Sequence, residues 1–216
     1  MSGISTAIGS ERISRVSGYK LNKGYFGNQT PNLPQQIVIL AEANTANQST
    51  IPAVATVPTP LQITTADQAA RVYGYGSPIH AIARILFPVS GDGVGGIPVV
   101  VMAQLAAVGA TATVIVWTIT GTATSNAPHT IVVNGRTSLD YKSYSVNIVT
   151  GDTPTIIAQK YADAINGVLG SPVTASVVAG VLTLTSKWTG LTSAAINTTI
   201  DTGGVAAGVT YATTST

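Results

Sequence analysis

A helix with a strongly specified start lies between alternating strands in the second half of the chain. Gly151-Asp152-Thr153-Pro154 precedes it, and the side chain of Asp152 or Thr153 can accept a hydrogen bond from the first turn. The fixed φ of Pro154 suits the first helical position, so we predict a helix over residues 155–166. Its apolar residues recur at helical spacing: Ile157, Tyr161, Ala164, Ile165 and Val168. This stripe must pack against another element.

Strands flank the predicted helix on both sides. Residues 143–149 precede it, and residues 172–178 and 181–185 follow it, each alternating with a period of two. Ala179-Gly180 between the last two predicts a tight hairpin. The simplest unit that buries the helical stripe is a small antiparallel sheet with this helix across one face.

Further alternating stretches extend this β-rich half. They cover residues 113–120 and 130–133, and a weaker one at 195–200 lies in a Thr- and Gly-rich tail. Asn134-Gly135 predicts a type I′ hairpin turn into the strand that precedes the helix.

The first half of the chain has continuous apolar runs in place of alternation. Residues 37–41 and 97–103 are typical of strands that are buried on both faces. A polar loop punctuated by proline, residues 42–60, follows the first run.

Two short helices are predicted between these strands. Thr64 or Thr65 can cap a helix over 66–73, with Gln68 as the capping-box partner. After Gly74-Tyr75-Gly76, Ser77-Pro78 starts a second helix whose apolar stripe is Ile79, Ile82, Ala83 and Leu86. Strand, helices and strand in that order predict the opening of an α/β layer, so the fold class is mixed α+β.

Composition changes near Gln104 to Gly109, where we place a domain boundary. Residues 1–22 show no sustained period and are predicted to be an extended arm. Residues 23–104 form the first part of the α/β domain, and residues 105–210 a β-rich, sandwich-like domain with one helix. Residues 211–216 remain as a tail.

Charge is scarce throughout. Only 8% of the 216 residues are charged, against about a quarter in ordinary soluble domains. The net charge of +2 favours association, and the one loose basic run, at Arg12, Arg15, Lys20 and Lys23, is too sparse to follow a phosphate backbone. We therefore expect a chain that packs against other protein and binds no nucleic acid.

Targeting and membrane signals are weak. Residues 1–22 lack the continuous apolar core of a signal peptide. Residues 97–121 carry no charge over about the length that spans a bilayer. Pro98, Gln104, Gly109 and many Val and Thr residues favour strands there, so we expect no membrane insertion. The absence of cysteine excludes disulfides and thiolate chemistry and fits a reducing compartment.

Residues that resemble chemical motifs lack the required context. Gly91, Gly93 and Gly96 match G-x-G-x-x-G, but they follow a helix and precede a strand, the reverse of the dinucleotide-binding order. His80, on the second helix, and His129, at the start of a strand, have no nearby ligands in the sequence and are predicted to be structural. No G-x-S-x-G elbow or carboxylate pair is present. We predict no catalytic, cofactor-binding or metal site.

Several segments, in order, resemble contractile bacteriophage tail sheath proteins. The N-terminal ones are 33–44, 66–78 with its G-x-G-S between two helices, and 97–99. The later ones are 151–154 with Ala158 and 164–166, then 172–175 and 182–187. The resemblance covers roughly residues 15–210 and is strongest at the G-x-G-S helix pair.

This resemblance implies an α/β layer of subtilisin-like topology without catalytic residues, into which residues 105–210 are inserted and to which residues 211–216 lead back. It further implies a non-enzymatic structural subunit of the virion, assembled in the host bacterial cytoplasm. Subunits polymerise helically around the tail tube and contract to drive it through the host envelope for genome ejection.

The implied partners are other sheath subunits, the baseplate, the tail terminator and, through a C-terminal part that sheath proteins have, the tube protein. The present chain then corresponds to an N-terminal portion, and its arm, residues 1–22, is expected to add a strand to a neighbouring subunit.

A β-rich adhesin or tail-decoration module that binds a host receptor or carbohydrate is the alternative. Thr- and Gly-rich strands with few charges suit it as well. It requires an exposed aromatic cluster, whereas Trp117 and Trp188 are isolated in the sequence.

Overall fold

Two β-rich regions with a hydrophobic core each make up the described protein. The structure is a computed structural model that describes residues 35–51, 53–54, 57–91, 93–136 and 139–215. The chain divides into two units, residues 1–35 and 36–216, and the account below concerns the second. The predicted arm, residues 1–22, lies outside the described residues.

A three-stranded sheet organises the first region. Its strands are β1 (Ile37–Glu42), β5 (Val99–Gln104) and β4 (Leu61–Ile63), in that order. β1 and β5 are parallel, with Ile37 opposite Val99, and β4 is antiparallel to β5. The predicted loop 42–60 contains a 3₁₀ helix (Thr45–Thr50) and the paired short strands β2 (Ala53–Val54) and β3 (Val57–Pro58).

Helices α1 (Ala66–Tyr73) and α2 (Pro78–Leu86) connect β4 to β5. Thr65 caps α1 by accepting from the Gln68 N–H, which confirms the predicted cap and its partner residue. The return bond of the Gln68 side chain is shifted by one residue, because it accepts from the N–H of Thr64 and not of Thr65. Ser77 caps α2, and Gly76 adopts a positive φ of 82°, as the joint between two helices requires.

The prediction that the two apolar strands are buried on both faces is wrong. Ile39, Ala41, Val99, Val101 and Ala103 pack into the core with the helices. The alternate residues Val38, Leu40 and Met102 are 52%, 63% and 42% exposed. In the described part of the chain, the helices cover one face of the sheet only.

The second region contains two antiparallel sheets. One has the order β12 (Thr210–Ser215), β6 (Val114–Thr120), β10 (Val181–Ser186), β9 (Val173–Val178), and the other β11 (Asn197–Asp201), β7 (Ala127–Asn134), β8 (Lys142–Ile148). Both sheets contribute to one core, and the indole N–H of Trp117 on β6 bonds Thr198 on β11 at 2.8 Å between them.

Helix α3 (Pro154–Asn166) starts where the sequence predicts, with Thr153 as its cap and Pro154 in the first turn. It packs against β6, β8, β9 and β10, so it contacts both sheets. Its buried face consists of Ile157, Ala158, Tyr161, Ala162 and Ile165, whereas Val168 lies beyond the helix and is exposed.

The two predicted hairpin turns have different outcomes. Ala179 and Gly180 have φ values of 47° and 83°, and Val178 pairs with Val181, which confirms the tight turn. The type I′ turn at Asn134-Gly135 is wrong: β7 and β8 do pair, but Val133 lies opposite Lys142, across a longer connection. Gly135 has no positive φ, and the buried carboxylate of Asp140 lies against it and holds this connection.

The fold is therefore mixed α+β with several sheets and few helices, as the sequence predicts. The two hydrophobic cores run from Ile39 to Ala103 and from Ile115 to Val209, on either side of the proposed boundary near residue 105. Independent folding of residues 105–210 stays a prediction. No helix in the described ranges is long and apolar enough to cross a membrane.

Candidate functional site

The histidines have structural partners. His80 is buried at the start of α2, and its Nδ1 accepts the Gly76 N–H at 3.0 Å. His129 is buried, and its Nε2 lies 2.7 Å from the Val205 carbonyl oxygen, which can only accept, so Nε2 is the donor. In the neutral ring, Nδ1 then accepts from the Tyr211 hydroxyl at 2.6 Å. His129 thus ties β7 to β12, and both its nitrogens are used.

The remaining motif residues form no constellation. In the described ranges, no three His, Asp or Glu side chains are grouped as metal ligands. The Gly-rich loop lies between the end of α2 and the start of β5, so no helix N-terminus follows it.

Both tryptophans are core residues. Trp117 and Trp188 are buried, and their indole N–H groups donate to Thr198 and Thr192. Neither can serve as a stacking platform for a sugar on the surface. The guanidinium of Arg136 lies 5.3 Å from the centroid of the Trp188 ring and covers it in a cation–π contact.

An exposed apolar surface lies on the side of the three-stranded sheet away from the helices. We call it the outer face, and it consists of the exposed Val38, Leu40 and Met102 with the half-buried Val100 between them. The parallel register sets Val38 beside Val100 and Leu40 beside Met102, so the four side chains are contiguous. β1 is also an edge strand, because β5 is its one neighbour in the described sheet. A contiguous exposed apolar patch beside an open strand edge is typical of a protein interface.

A polar cluster joins the two regions. Arg136, beyond β7, forms an ion pair with the buried Asp140 at 3.1 Å and approaches Glu42 of β1 at 3.8 Å. Glu42 also accepts a 2.7 Å hydrogen bond from Thr192. Since Arg136 also covers Trp188, one side chain links the end of β1 to the core of the second region.

A second set of contacts lies at the joint between α1 and α2. The ammonium group of Lys187, just after β10, donates to the Tyr75 and Leu169 carbonyls at 3.2 and 3.0 Å. The Thr45 N–H donates to the Lys187 carbonyl at 2.8 Å. Burial lowers the pKa of Lys187. Sequence reasoning missed the linking roles of Arg136 and Lys187, although a lone Arg or Lys among Thr and apolar residues was a signal that the side chain has a specific partner.

The chain matches no protein-family model and no curated protein.

Proposed function

We propose that this protein is a structural subunit of a contractile phage tail sheath. It polymerises helically around the tail tube with other copies, and it contracts to drive the tube through the host envelope. The observation that carries the proposal is the outer face. A chain with 8% charged residues presents an apolar sheet face and an open strand edge, which suits a subunit that exists in an assembly.

The outer face can supply the core of an interface between subunits. Burial of Val38, Leu40 and Met102, each about half-exposed, contributes about 1 kcal/mol per side chain. An interface of standard size buries about 1,600 Å², so the outer face is its centre and other surfaces complete it.

The proposed arrangement is an α/β layer of subtilisin-like topology with residues 105–210 inserted into it. The parallel pair β1 and β5, with two helices between them in sequence, is consistent with such a layer. Movement of the layer during contraction must carry the inserted domain along. The contacts of Arg136 and Lys187 resist relative rotation, which suits that mechanical role.

Electron microscopy of the protein expressed from its full reading frame tests the proposal. Helical tubes of regular diameter are expected. Leu40→Lys should prevent their growth, because it places a charge in the interface core. Leu191→Lys is the matched control, since Leu191 is exposed on a loop of the second region.

Two outcomes would contradict the proposal. One is a particle without helical order, as expected for an adhesin or tail-decoration module that binds a host receptor or carbohydrate. The other is tube growth by Leu40→Lys that equals growth by the control.

A further inference from the structure

A cleft of about 270 Å³ lies where α2 meets the second region. His80 and Arg84 line it from α2, Asp140 and Lys142 line it from the connection into β8, and Gly170 and Pro172 line it from the segment before β9. The outer face, on which the proposed assembly rests, does not include this cleft.

Lys142 occupies a position that the strand pattern assigns to an apolar residue. Tyr144, Val146 and Ile148 are buried at alternate positions of β8, and Lys142 shares their face at the start of the strand. It is half-buried, and burial together with the charge of Arg84 lowers its pKa. An inward-facing lysine costs solvation free energy, so it needs a compensating negative group.

In the described ranges this charge is compensated only in part, because the nearby carboxylate of Asp140 favours the charged lysine but is itself paired with Arg136. Neither Lys142 nor Arg84 forms an ion pair there, and the carboxylate of Asp140 is held by the guanidinium and the backbone N–H of Arg136. Burial lowers the pKa of the His80 ring, and the charges of Arg84, Lys187 and Lys142 lower it further, against the opposing charge of Asp67. The cleft is therefore an electropositive site.

Hydrogen-bond donors and space are both present in the cleft. Because Nδ1 of His80 accepts the Gly76 N–H, the neutral ring carries its proton on Nε2. A Cβ at Gly170 would lie 3.5 Å from an Arg84 guanidinium nitrogen and 4.0 Å from the His80 ring, so the glycine leaves the cleft open beside both side chains.

We propose that this cleft binds a small oxyanion, held by Arg84 and Lys142 with His80 as a neutral donor. Its volume is below the roughly 300–1,000 Å³ of pockets for drug-sized ligands, so the ligand has the size of a phosphate group or a carboxylate. The source is a free anion or a carboxylate side chain of a second copy of this chain.

Calorimetric titration with inorganic phosphate, at constant ionic strength, tests the proposal on the folded protein. Saturable binding is expected, and Lys142→Gln or Arg84→Gln should weaken it at least about tenfold, because each removes a charge-assisted hydrogen bond. Arg71→Gln is the control, since Arg71 is exposed, is paired with Asp67 and does not line the cleft. Gly170→Leu fills the cleft without changing charge and should also abolish binding, with circular dichroism confirming that each variant is folded.

Sedimentation with and without phosphate distinguishes the two sources. Phosphate binding that leaves the oligomeric state unchanged assigns the site to a free anion. Phosphate binding that dissociates assemblies, reproduced by acetate, assigns it to a carboxylate of a neighbouring copy. Absence of saturable binding by the wild-type protein, or an equal loss in Arg71→Gln, overturns the proposal.

Discussion

Replacement of Gly76 by alanine should destabilise the protein far more than a positive φ alone explains. A Cβ at this position would lie 2.0 Å from the Ser171 carbonyl oxygen, which is backbone of the second region. Forcing the two segments apart is overpacking, with a cost of about 1–3 kcal/mol. The φ of 82° adds strain of about 1–2 kcal/mol for any residue with a Cβ.

Gly96→Ala separates these two contributions. Gly96 has a φ of 84°, but a Cβ at this position would have no neighbouring atom within 4 Å, so that variant carries the backbone strain alone. Urea unfolding followed by circular dichroism should place Gly76→Ala about 1–3 kcal/mol below Gly96→Ala. Each kcal/mol corresponds to about 2–4 °C in Tm for a chain of this size. Equal losses of stability in the two variants would refute the close approach between Gly76, at the joint of α1 and α2, and Ser171, in the segment before β9.

Three further predictions concern the same junction. Ser77→Ala should cost about 1 kcal/mol, measured by urea unfolding, because it removes the cap that accepts the His80 N–H. Burial and nearby cations lower the pKa of His80 in the folded protein below its value in the unfolded chain. The unfolded chain therefore takes up the proton first, and the free energy of unfolding decreases as pH falls below about 6.5. His80→Gln removes this titration and should reduce the loss of stability between about pH 7 and pH 5. Arg136→Ala should lower the free energy of unfolding by roughly 3 kcal/mol, because it leaves Asp140 buried and unpaired. Adding Asp140→Asn should restore part of this loss. A double variant less stable than Arg136→Ala would contradict the role of the ion pair.

Local signals in the sequence predict the elements well. The start of α3, the capping box of α1 and the turn at Ala179-Gly180 each depend on a few adjacent residues whose backbone preferences agree. Gly76 and Ser77 are also specified locally, although the partner that makes Gly76 necessary, Ser171, is distant in the sequence.

Features that depend on tertiary contacts are not predictable in this way. An apolar run does not reveal whether one or both faces of its strand are covered, so the sequence alone predicts burial for Leu40 and Met102. Asn134-Gly135 predicts a two-residue turn, but the pairing of Arg136 with Asp140 sets a longer connection. Sequence reasoning misses β12 because threonine-rich alternation without large apolar residues resembles a polar tail, and its pairing with β6 is non-local.

The candidate surfaces are least accessible to sequence reasoning. The cleft combines side chains of α2 with Lys142, which are far apart in the sequence, and it has no motif. Its one local signal is the lysine at an inward-facing position of β8. The scarcity of charge, in contrast, is visible in the composition, and the proposal that the chain packs against other protein starts from it.

Labelling of a single cysteine on the outer face tests the central claim most directly, because the chain contains no cysteine of its own. Met102→Cys should react with a maleimide quickly in dilute solution and at least tenfold more slowly in the assembled fraction. A tenfold difference corresponds to about 1.4 kcal/mol of protection by burial. Val89→Cys, on a fully exposed loop, is the control and should react at a similar rate in both. Equal reactivity of Met102→Cys in the dilute and assembled fractions would contradict the claim that the outer face is an interface between subunits.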